Sequence, residues 1–304
     1  MKPLTILALA LAVGSHAAAT LAAGTPINEL RDVAADAHIS ISNVKGEVKV
    51  TAWDRNQVQI SGTLGEGAKR LAVEGSARDL SIKVEGPEKS GWFSWGSDTH
   101  MGPTVLDVRV PHGVALSVDV VSAPVSVSGL AGGKVGVNTV SGRVRLDARS
   151  PEVSVDSVSG DVELDAPVQK ADVETVSGNV VIPSVSESAD VQTVSGGIRV
   201  NGGPLRKGEA STVSGDIELG VRLAADATLH VETMSGDVRL DLPADLSAEL
   251  SAETFSGGLQ SDFGSAERPE HGPGTHLDTR VGAGAGRVTV ETFSGDIRIR
   301  KGGG

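Results

Sequence analysis

The stretch that decides the fold of this chain is Ala171-Asp-Val-Glu-Thr-Val-Ser-Gly-Asn-Val-Val-Ile182. Apolar and polar residues alternate on either side of its Ser177-Gly178 pair. Alternation with a period of two residues is typical of a half-buried strand, so the stretch predicts a strand, a turn and a second strand. Gly178 suits the turn because it has no Cβ to clash when φ is positive.

An apolar residue followed by Ser and Gly occurs eight times along the chain. The spacings between successive glycines are 18, 18, 18, 19, 21, 21 and 38 residues. The residue after the glycine is Asp, Asn or Gly in seven of the eight copies, and these residues favour turns. Such a period indicates a repeat protein, whose last and longest gap holds a long insertion or skips a coil. The glycines are Gly142, Gly160, Gly178, Gly196, Gly215, Gly236, Gly257 and Gly295.

An 18-residue coil spans ~60 Å at most when extended, which is enough for two or three short strands but not for a helix as well. Stacked coils place equivalent side chains about 4.8 Å apart and build an aliphatic core. We therefore predict an all-β fold, a single-chain parallel β-helix (β-solenoid) with coils of about 18–21 residues. Rings would fit its narrow core only at wider coils, such as those of Phe255 and Phe293. The two predicted core ladders are Val137, Val155, Val173, Val191, Ala210, Val231, Ala252, Val290 and Val144, Val162, Val180, Ile198, Ile217, Val238, Leu259, Ile297.

The composition agrees with this fold and excludes several classes of function. Aromatic residues make up 2% of the 304 residues and Tyr is absent, as expected of stacked aliphatic side chains. The formal net charge of -12 argues against a nucleic-acid-binding surface, which needs basic side chains. The absence of Cys rules out disulfides, thiolate catalysis, thiolate metal sites and a lipid-modified cysteine anchor.

Residues 1–23 have the order of a secretory signal peptide, with Lys2, an apolar run from Leu4 to Val13 and small residues up to Ala23. We expect an extracytoplasmic chain, either periplasmic or secreted to the cell surface, with no transmembrane span after cleavage. An uncleaved anchor is the alternative, because the stretch from Leu4 to Ala23 has 20 residues with His16 as its only strongly polar member.

The rest of the chain, residues 24–304, predicts one β-solenoid domain. Degenerate coils occupy residues 39–134, regular repeats 135–261, a loop insertion 262–286 and the final coil 287–301. A second loop, residues 86–103, is also rich in Gly, Pro and polar residues. Open solenoid ends can pair between chains, and the charged residues Arg298–Lys301 are the candidate edge breaker.

Several phrases resemble the DUF4097 type of bacterial families with β-strand repeats, which are named "putative adhesins". The resemblance rests on Thr-Val-Ser-Gly-Asp phrases such as Thr212–Asp216, on Asn43–Val50 followed by Trp53-Asp54, on Val110–Gly113, and on the ending Gly282–Ile297. It covers nearly all of the chain after residue 23. It implies a solenoid outside the cytoplasm with no established enzymatic activity.

Ligand-binding residues are predicted in the loop Gly91-Trp92-Phe93-Ser94-Trp95-Gly96, which holds three of the seven aromatic residues. Their flat rings suit stacking on sugar rings or a membrane interface, and the alternative is that they cover aliphatic side chains of the solenoid. Trp92, Phe93 and Trp95 are therefore the candidate binding residues.

Metal sites and catalytic groups have weaker signals. Asp216 and Asp237 would stack in consecutive coils as a calcium ladder, but turn formation explains the same positions. His271 and His276 lie with Asp278 in one loop. Neither a third strong ligand beside the two histidines nor a second shell that would fix them is evident. We predict no cofactor, no metal and no catalytic residue.

The function that we predict is a non-enzymatic exported β-solenoid, an adhesin-like binding or scaffold module at the cell envelope with an unidentified envelope or glycan ligand. The alternative is a carbohydrate-active enzyme, a polysaccharide lyase or hydrolase on a parallel β-helix. Such an enzyme needs unlike acidic and basic groups converging in one coil. Here the polar residues before each Thr or Ser, such as Asp156 and Glu174, repeat from copy to copy as a solvated face.

Overall fold

The structure is a computed structural model, and it describes residues 24–86, 101–270 and 273–302. These residues form 22 strands, and they include no helix that is long and apolar enough to cross a membrane. The predicted signal peptide, residues 1–23, lies outside the described residues. The strands are β1 Thr25–Asp32, β2 His38–Trp53, β3 Gln57–Leu64, β4 Arg70–Gly75, β5 Asp79–Glu85, β6 Thr104–Pro111, β7 Ala115–Ser122, β8 Val125–Ala131, β9 Val135–Ser141, β10 Val144–Arg149, β11 Glu152–Ser159, β12 Val162–Leu164, β13 Val168–Ser177, β14 Val180–Ser195, β15 Ile198–Ser214, β16 Ile217–Ser235, β17 Val238–Leu242, β18 Ala248–Ser256, β19 Leu259–Ser261, β20 Thr275–Val281, β21 Gly286–Ser294 and β22 Ile297–Lys301.

Each coil contributes one strand segment before the Ser-Gly turn and one after it. We call the stack of segments before the turn the front sheet, and the stack after the turn the back sheet. The long strands β2, β14, β15 and β16 bend from one sheet into the other. The front sheet runs β4, β5, β2 (38–45), β7, β9, β11, β13, β14 (188–195), β15 (207–214), β16 (228–235), β21, β18, β20. The back sheet runs β1, β3, β6, β2 (46–53), β8, β10, β12, β14 (180–182), β15 (198–201), β16 (217–220), β17, β22, β19.

The strand register confirms the predicted parallel β-solenoid. In the front sheet, Val137 pairs with Val155, and further steps of the same ladder lead to Val173, Val191, Ala210 and Val231. These steps are 18, 18, 18, 19 and 21 residues, as in the sequence repeat. The strands therefore pair in a register that repeats with the coil length predicted from the glycine spacing.

The core lies between the two sheets, where the inward residues of successive coils stack. Among the described residues, every buried hydrophobic side chain is Ala, Val, Leu or Ile, so the aliphatic core is as expected. The placement of the two phenylalanines differs from the prediction. Phe255 and Phe293 lie outside the core on the front sheet and are about half exposed, because strand alternation turns them away from the interior.

The glycines of the turns stack on one another, and this explains why all eight copies need glycine. The amide of Gly178 donates to the Ser195 carbonyl at 3.1 Å. A Cβ on Gly178, which has φ +157°, would clash with the carbonyl oxygen of Gly160 in the preceding coil. The same clash recurs between Gly196 and Gly178. Close stacking of backbone on backbone therefore excludes any side chain from this edge.

At both ends of the solenoid, the order of the coils in space differs from their order in the chain. The coil of β5 and β6 packs outside β2, whereas β7 and β8 pack on its other side. At the far end, the last coil, β21 and β22, lies between β16–β17 and β18–β19. The long gap between the last two glycines therefore reflects a coil that turns back into the stack.

This order changes two expectations about the C-terminal part. Residues 275–281 of the predicted loop insertion 262–286 form strand β20, which pairs antiparallel with β18. Arg298 and Ile299 do not lie at an edge, because β22 has β17 on one side and β19 on the other, whereas Arg300 and Lys301 pair with β17 alone. At one end of the solenoid, an antiparallel pair ends each sheet: β4 with β5 in the front sheet and β1 with β3 in the back sheet. At the other end, β20 pairs antiparallel with β18 and ends the front sheet. These pairs break the parallel stacking at the ends.

Candidate binding trough

One apolar side chain per coil points outward from the front sheet at the residue before Ser-Gly. Since Val137 and Thr139 face the interior, alternation along β9 turns Val140 to the outside. The equivalent residues of ten neighbouring coils are 41% to 60% exposed. We call this row the apolar stripe. In spatial order it consists of Val44, Val121, Val140, Val158, Val176, Val194, Val213, Met234, Phe293 and Phe255.

A second outward row runs parallel to the apolar stripe, two residues earlier in each strand. We call it the polar row, and it consists of Ser42, Asp119, Asn138, Asp156, Glu174, Gln192 and Ser211. Between the two rows lie buried residues that include Thr139, Ser157, Thr175 and Thr193. The part of the apolar stripe from Val44 to Val213, the polar row and these residues line one trough of about 780 Å³.

The trough follows the axis of the solenoid across seven coils. Its apolar side extends from Val44 at one end to Val213 at the other, and Lys83 and Val84 of the neighbouring strand β5 line the Val44 end. Six steps of about 4.8 Å between neighbouring strands make it ~29 Å long. A ligand that fills it therefore has to be elongated.

The electrostatic character of the trough is acidic. Asp156 and Glu174 have no hydrogen-bond or ion-pair partner within the part of the chain that the structure describes, and Asp119 accepts one bond, from Asn138 Nδ2 at 2.8 Å. Behind this row, burial raises the pKa of the Asp172 carboxyl, and the carboxylates of Asp190 and Asp156 raise it further. The polar row therefore carries negative charge that the protein itself does not neutralise.

The hydroxyl groups at the buried position between the two outward rows fall into two sets along the front sheet. The side-chain oxygens of Thr139, Ser157, Thr175 and Thr193 are buried without a hydrogen-bond partner. In the coils beyond the trough, Thr254 Oγ1 donates to the Gly295 carbonyl at 3.0 Å. The equivalent hydroxyls of Thr212, Thr233 and Thr292 donate to a glycine carbonyl at 3.4 Å.

The residues predicted to bind ligand, Trp92, Phe93 and Trp95, lie outside the described residues, and their role stays a prediction. The strands on either side of that loop are described. β5 ends at Glu85 and β6 begins at Thr104, and Lys83 and Val84 line one end of the trough.

A family model described as Toastrack DUF4097 matches residues 37–300. The chain belongs to this family.

Three solved structures are similar to this Toastrack chain. A "putative adhesin" from Parabacteroides distasonis ATCC 8503 is 16% identical with a TM-score of 0.44, and the match covers 91% of this chain and 98% of the other. A "putative adhesin" from Bacteroides fragilis NCTC 9343 is 12% identical with a TM-score of 0.42 and coverage of 91% and 97%. A "putative lipid binding protein" from Parabacteroides distasonis ATCC 8503 is 14% identical with a TM-score of 0.42 and coverage of 91% and 98%. No curated protein matches the chain.

The acidic residues after the Toastrack glycines form turn hydrogen bonds. Asp216 Oδ1 accepts from the Asp237 amide at 2.9 Å, and Asp237 Oδ1 accepts from the Asp296 amide at 3.0 Å. Arg298 lies 3.6 Å from Asp237 and 2.9 Å from Asp296. A guanidinium group therefore stands beside these carboxylates, and turn formation accounts for the ladder without calcium.

The other metal candidate is not assembled by the described residues. His276 and Asp278 lie on strand β20, opposite Glu253 and Ser251, and His271 lies outside the described residues. Across residues 24–86, 101–270 and 273–302, no group of three or more His, Asp or Glu side chains is placed to hold a metal ion.

The apolar stripe of this Toastrack chain was not predicted from the sequence, although the repeat indicates it. Val137 and Val140 are three residues apart, so strict alternation cannot place both in the core. An apolar residue recurs at the outward position in all eight copies. The polar row was predicted as a solvated face; its residues are exposed or partly exposed, and they also form one wall of the trough.

Proposed function

We propose that this chain is a non-enzymatic binding module of the cell envelope, and that its trough holds an elongated ligand. The observation that carries the proposal is the apolar stripe, in which ten neighbouring coils each expose one apolar side chain. Contiguous exposed apolar surface of this kind marks interaction sites on soluble proteins. Its location at the envelope rests on the predicted signal peptide in residues 1–23.

The lining of the trough supports binding over catalysis. Its three rows repeat from coil to coil, so the surroundings of Asp156 in one coil resemble those of Glu174 in the next. A hydrolase or lyase site needs unlike groups that converge on one bond. A repeating surface distributes affinity along its length, as a binding or scaffold role requires.

The test compares two apolar surfaces of the same protein. The double variant Val158→Asn with Val176→Asn places two amides in the centre of the apolar stripe. The control, Leu30→Asn with Val105→Asn, changes two exposed apolar residues on the back sheet, which are 52% and 41% exposed. Purified chains of residues 24–304 are incubated with isolated envelope fractions and with glycan arrays.

We expect the stripe variant to lose at least tenfold in binding, because the centre of an interface supplies most of its affinity. The control should bind like the unchanged chain, and all three should unfold at similar denaturant concentrations. Equal binding by the two variants would remove the trough as the binding surface.

A further inference from the structure

The charge of the trough restricts what it can hold. We propose that its occupant is a basic amphipathic α-helix of a partner polypeptide, about 20 residues long. This inference rests on the proposed function, since it names the ligand class of the same trough. The apolar face of the helix would lie on the apolar stripe, and its Lys or Arg side chains would lie beside the polar row.

Charge complementarity favours a cationic occupant. Asp156 and Glu174 have no partner in the described part of the chain, and Asp172 adds a carboxyl group next to them. Two cations lie near the trough. Lys83 lines one end of it, on strand β5, four strands away from Asp156, and Lys207 is already paired with Asp190 at 3.3 Å and Glu209 at 3.2 Å. A second copy would bring a net charge of -12 to a chain of equal charge, and an anionic lipid would meet the same repulsion.

The backbone of the occupant has to satisfy its own hydrogen bonds. The floor of the trough is the face of a sheet, and its strands already pair with neighbours on both sides, as β11 does with β9 and β13. An extended peptide cannot add to this face as a further strand, because strand addition needs a free edge. A helix forms its backbone hydrogen bonds internally.

The length of the trough and the spacing of its coils also favour a helix over an extended strand. A trough of ~29 Å matches about 20 helical residues at 1.5 Å per residue. One helical turn advances 5.4 Å, close to the ~4.8 Å between neighbouring coils, whereas side chains on one side of an extended strand recur every ~6.7 Å. Apolar residues at helical spacing can therefore contact the side chains of the apolar stripe over several coils.

The probe is a synthetic 20-residue peptide of Leu and Lys in which Leu occupies one helical face. Two control peptides keep its length: one replaces every Lys with Glu, and one scrambles the order so that no face is apolar. Binding is measured by calorimetry, and helix formation by circular dichroism. Sedimentation of the protein alone reports whether it self-associates through the trough.

Two double variants of the protein separate local charge from net charge. Asp156→Asn with Glu174→Gln neutralises the centre of the polar row. Asp226→Asn with Asp245→Asn removes the same number of charges at exposed sites outside the trough. We expect the first variant to bind the Leu-Lys peptide about tenfold more weakly, the scale of two ion pairs. The second variant should change binding less than twofold.

The Leu-Lys peptide should become helical on binding, and neither control peptide should bind. Equal weakening by both variants, or equal binding of the Leu-Glu peptide, would overturn the basic helix. Self-association that Val158→Asn with Val176→Asn abolishes would make a second copy the occupant and would also overturn it. If the Leu-Lys peptide fails to bind while the stripe variant still loses envelope binding, the helix is wrong and the proposed binding function stands.

Discussion

The ring of Phe255 stacks on the ring of Phe293, with the ring centroids 4.7 Å apart and the ring planes inclined by 8°. The two residues are 38 positions apart in the chain, and they are adjacent because the last coil lies beside β18 and β19. The stacked pair therefore marks the place where the chain turns back into its own stack.

Phe255→Ala should destabilise the protein by about 0.5–1.5 kcal/mol, the contribution of a stacked aromatic pair beyond its buried area. Val140→Ala is the control, since Val140 occupies the same stripe between Val121 and Val158 and should cost less than about 0.5 kcal/mol. Chemical unfolding measures both. Equal losses would contradict a specific role for the ring pair at the coil junction.

Gly178→Val should cost about 1–3 kcal/mol through backbone strain, because the new Cβ clashes with the Gly160 carbonyl. Gly136→Val is a matched control in strand β9, where an added Cβ meets nothing within 4 Å. This change should leave the stability unchanged or raise it, because Val suits a strand better than Gly. A thermal midpoint that Gly178→Val does not lower would count against the stacked turns.

Thr193→Val should have little effect on the free energy of unfolding or increase it, because the buried Thr193 hydroxyl has no hydrogen-bond partner. Thr254→Val should cost about 1 kcal/mol, since its hydroxyl donates to the Gly295 carbonyl at 3.0 Å. Denaturant titrations of both variants test the difference. Equal costs would show that the two hydroxyl groups have equivalent environments.

Asp172→Asn and Asp161→Asn should change stability in opposite directions at neutral pH. Burial raises the pKa of Asp172, so its ionised form destabilises the fold as the pH rises above about 4. The Asn179 amide lowers the pKa of Asp161, so its ionised form stabilises the fold above about pH 4 and this contribution is lost as the pH falls.

Thermal midpoints at pH 7 should therefore rise for Asp172→Asn and fall for Asp161→Asn. Both differences should shrink as the pH falls, first for Asp172, whose pKa is raised, and only at lower pH for Asp161, whose pKa is lowered. The backbone hydrogen bond at position 161 survives this change, because Asn179 forms the equivalent bond to the Gly197 amide at 2.9 Å. Shifts of the same sign at pH 7 would contradict the assigned directions.

Trp92→Ala with Trp95→Ala tests the aromatic loop predicted from the sequence. We expect the β-rich fold to remain and binding to envelope or glycan material to weaken by roughly 1–3 kcal/mol, the scale of lost aromatic anchors. Circular dichroism and binding assays measure the two effects separately. Early unfolding with unchanged binding per folded molecule would make the loop structural.

The sequence by itself determined the repeating unit. The period of the Ser-Gly phrases, the alternation around Gly178 and the aliphatic ladders are local patterns, and each coil contacts its neighbours in the register that these patterns predict. Such contacts follow from the sequence because one coil can pair well with the next only when equivalent residues align.

Only the tertiary structure decided the order of the end coils and the existence of the trough. The last coil pairs with β16 and β18 on its two sides, and since every coil presents a similar edge, no local pattern distinguishes this order from stacking in sequence. The trough likewise requires many coils, because Val158 or Asp156 alone is an ordinary surface residue. Only stacking places these residues in continuous rows, and the rows give the surface its length, its apolar stripe and its charge.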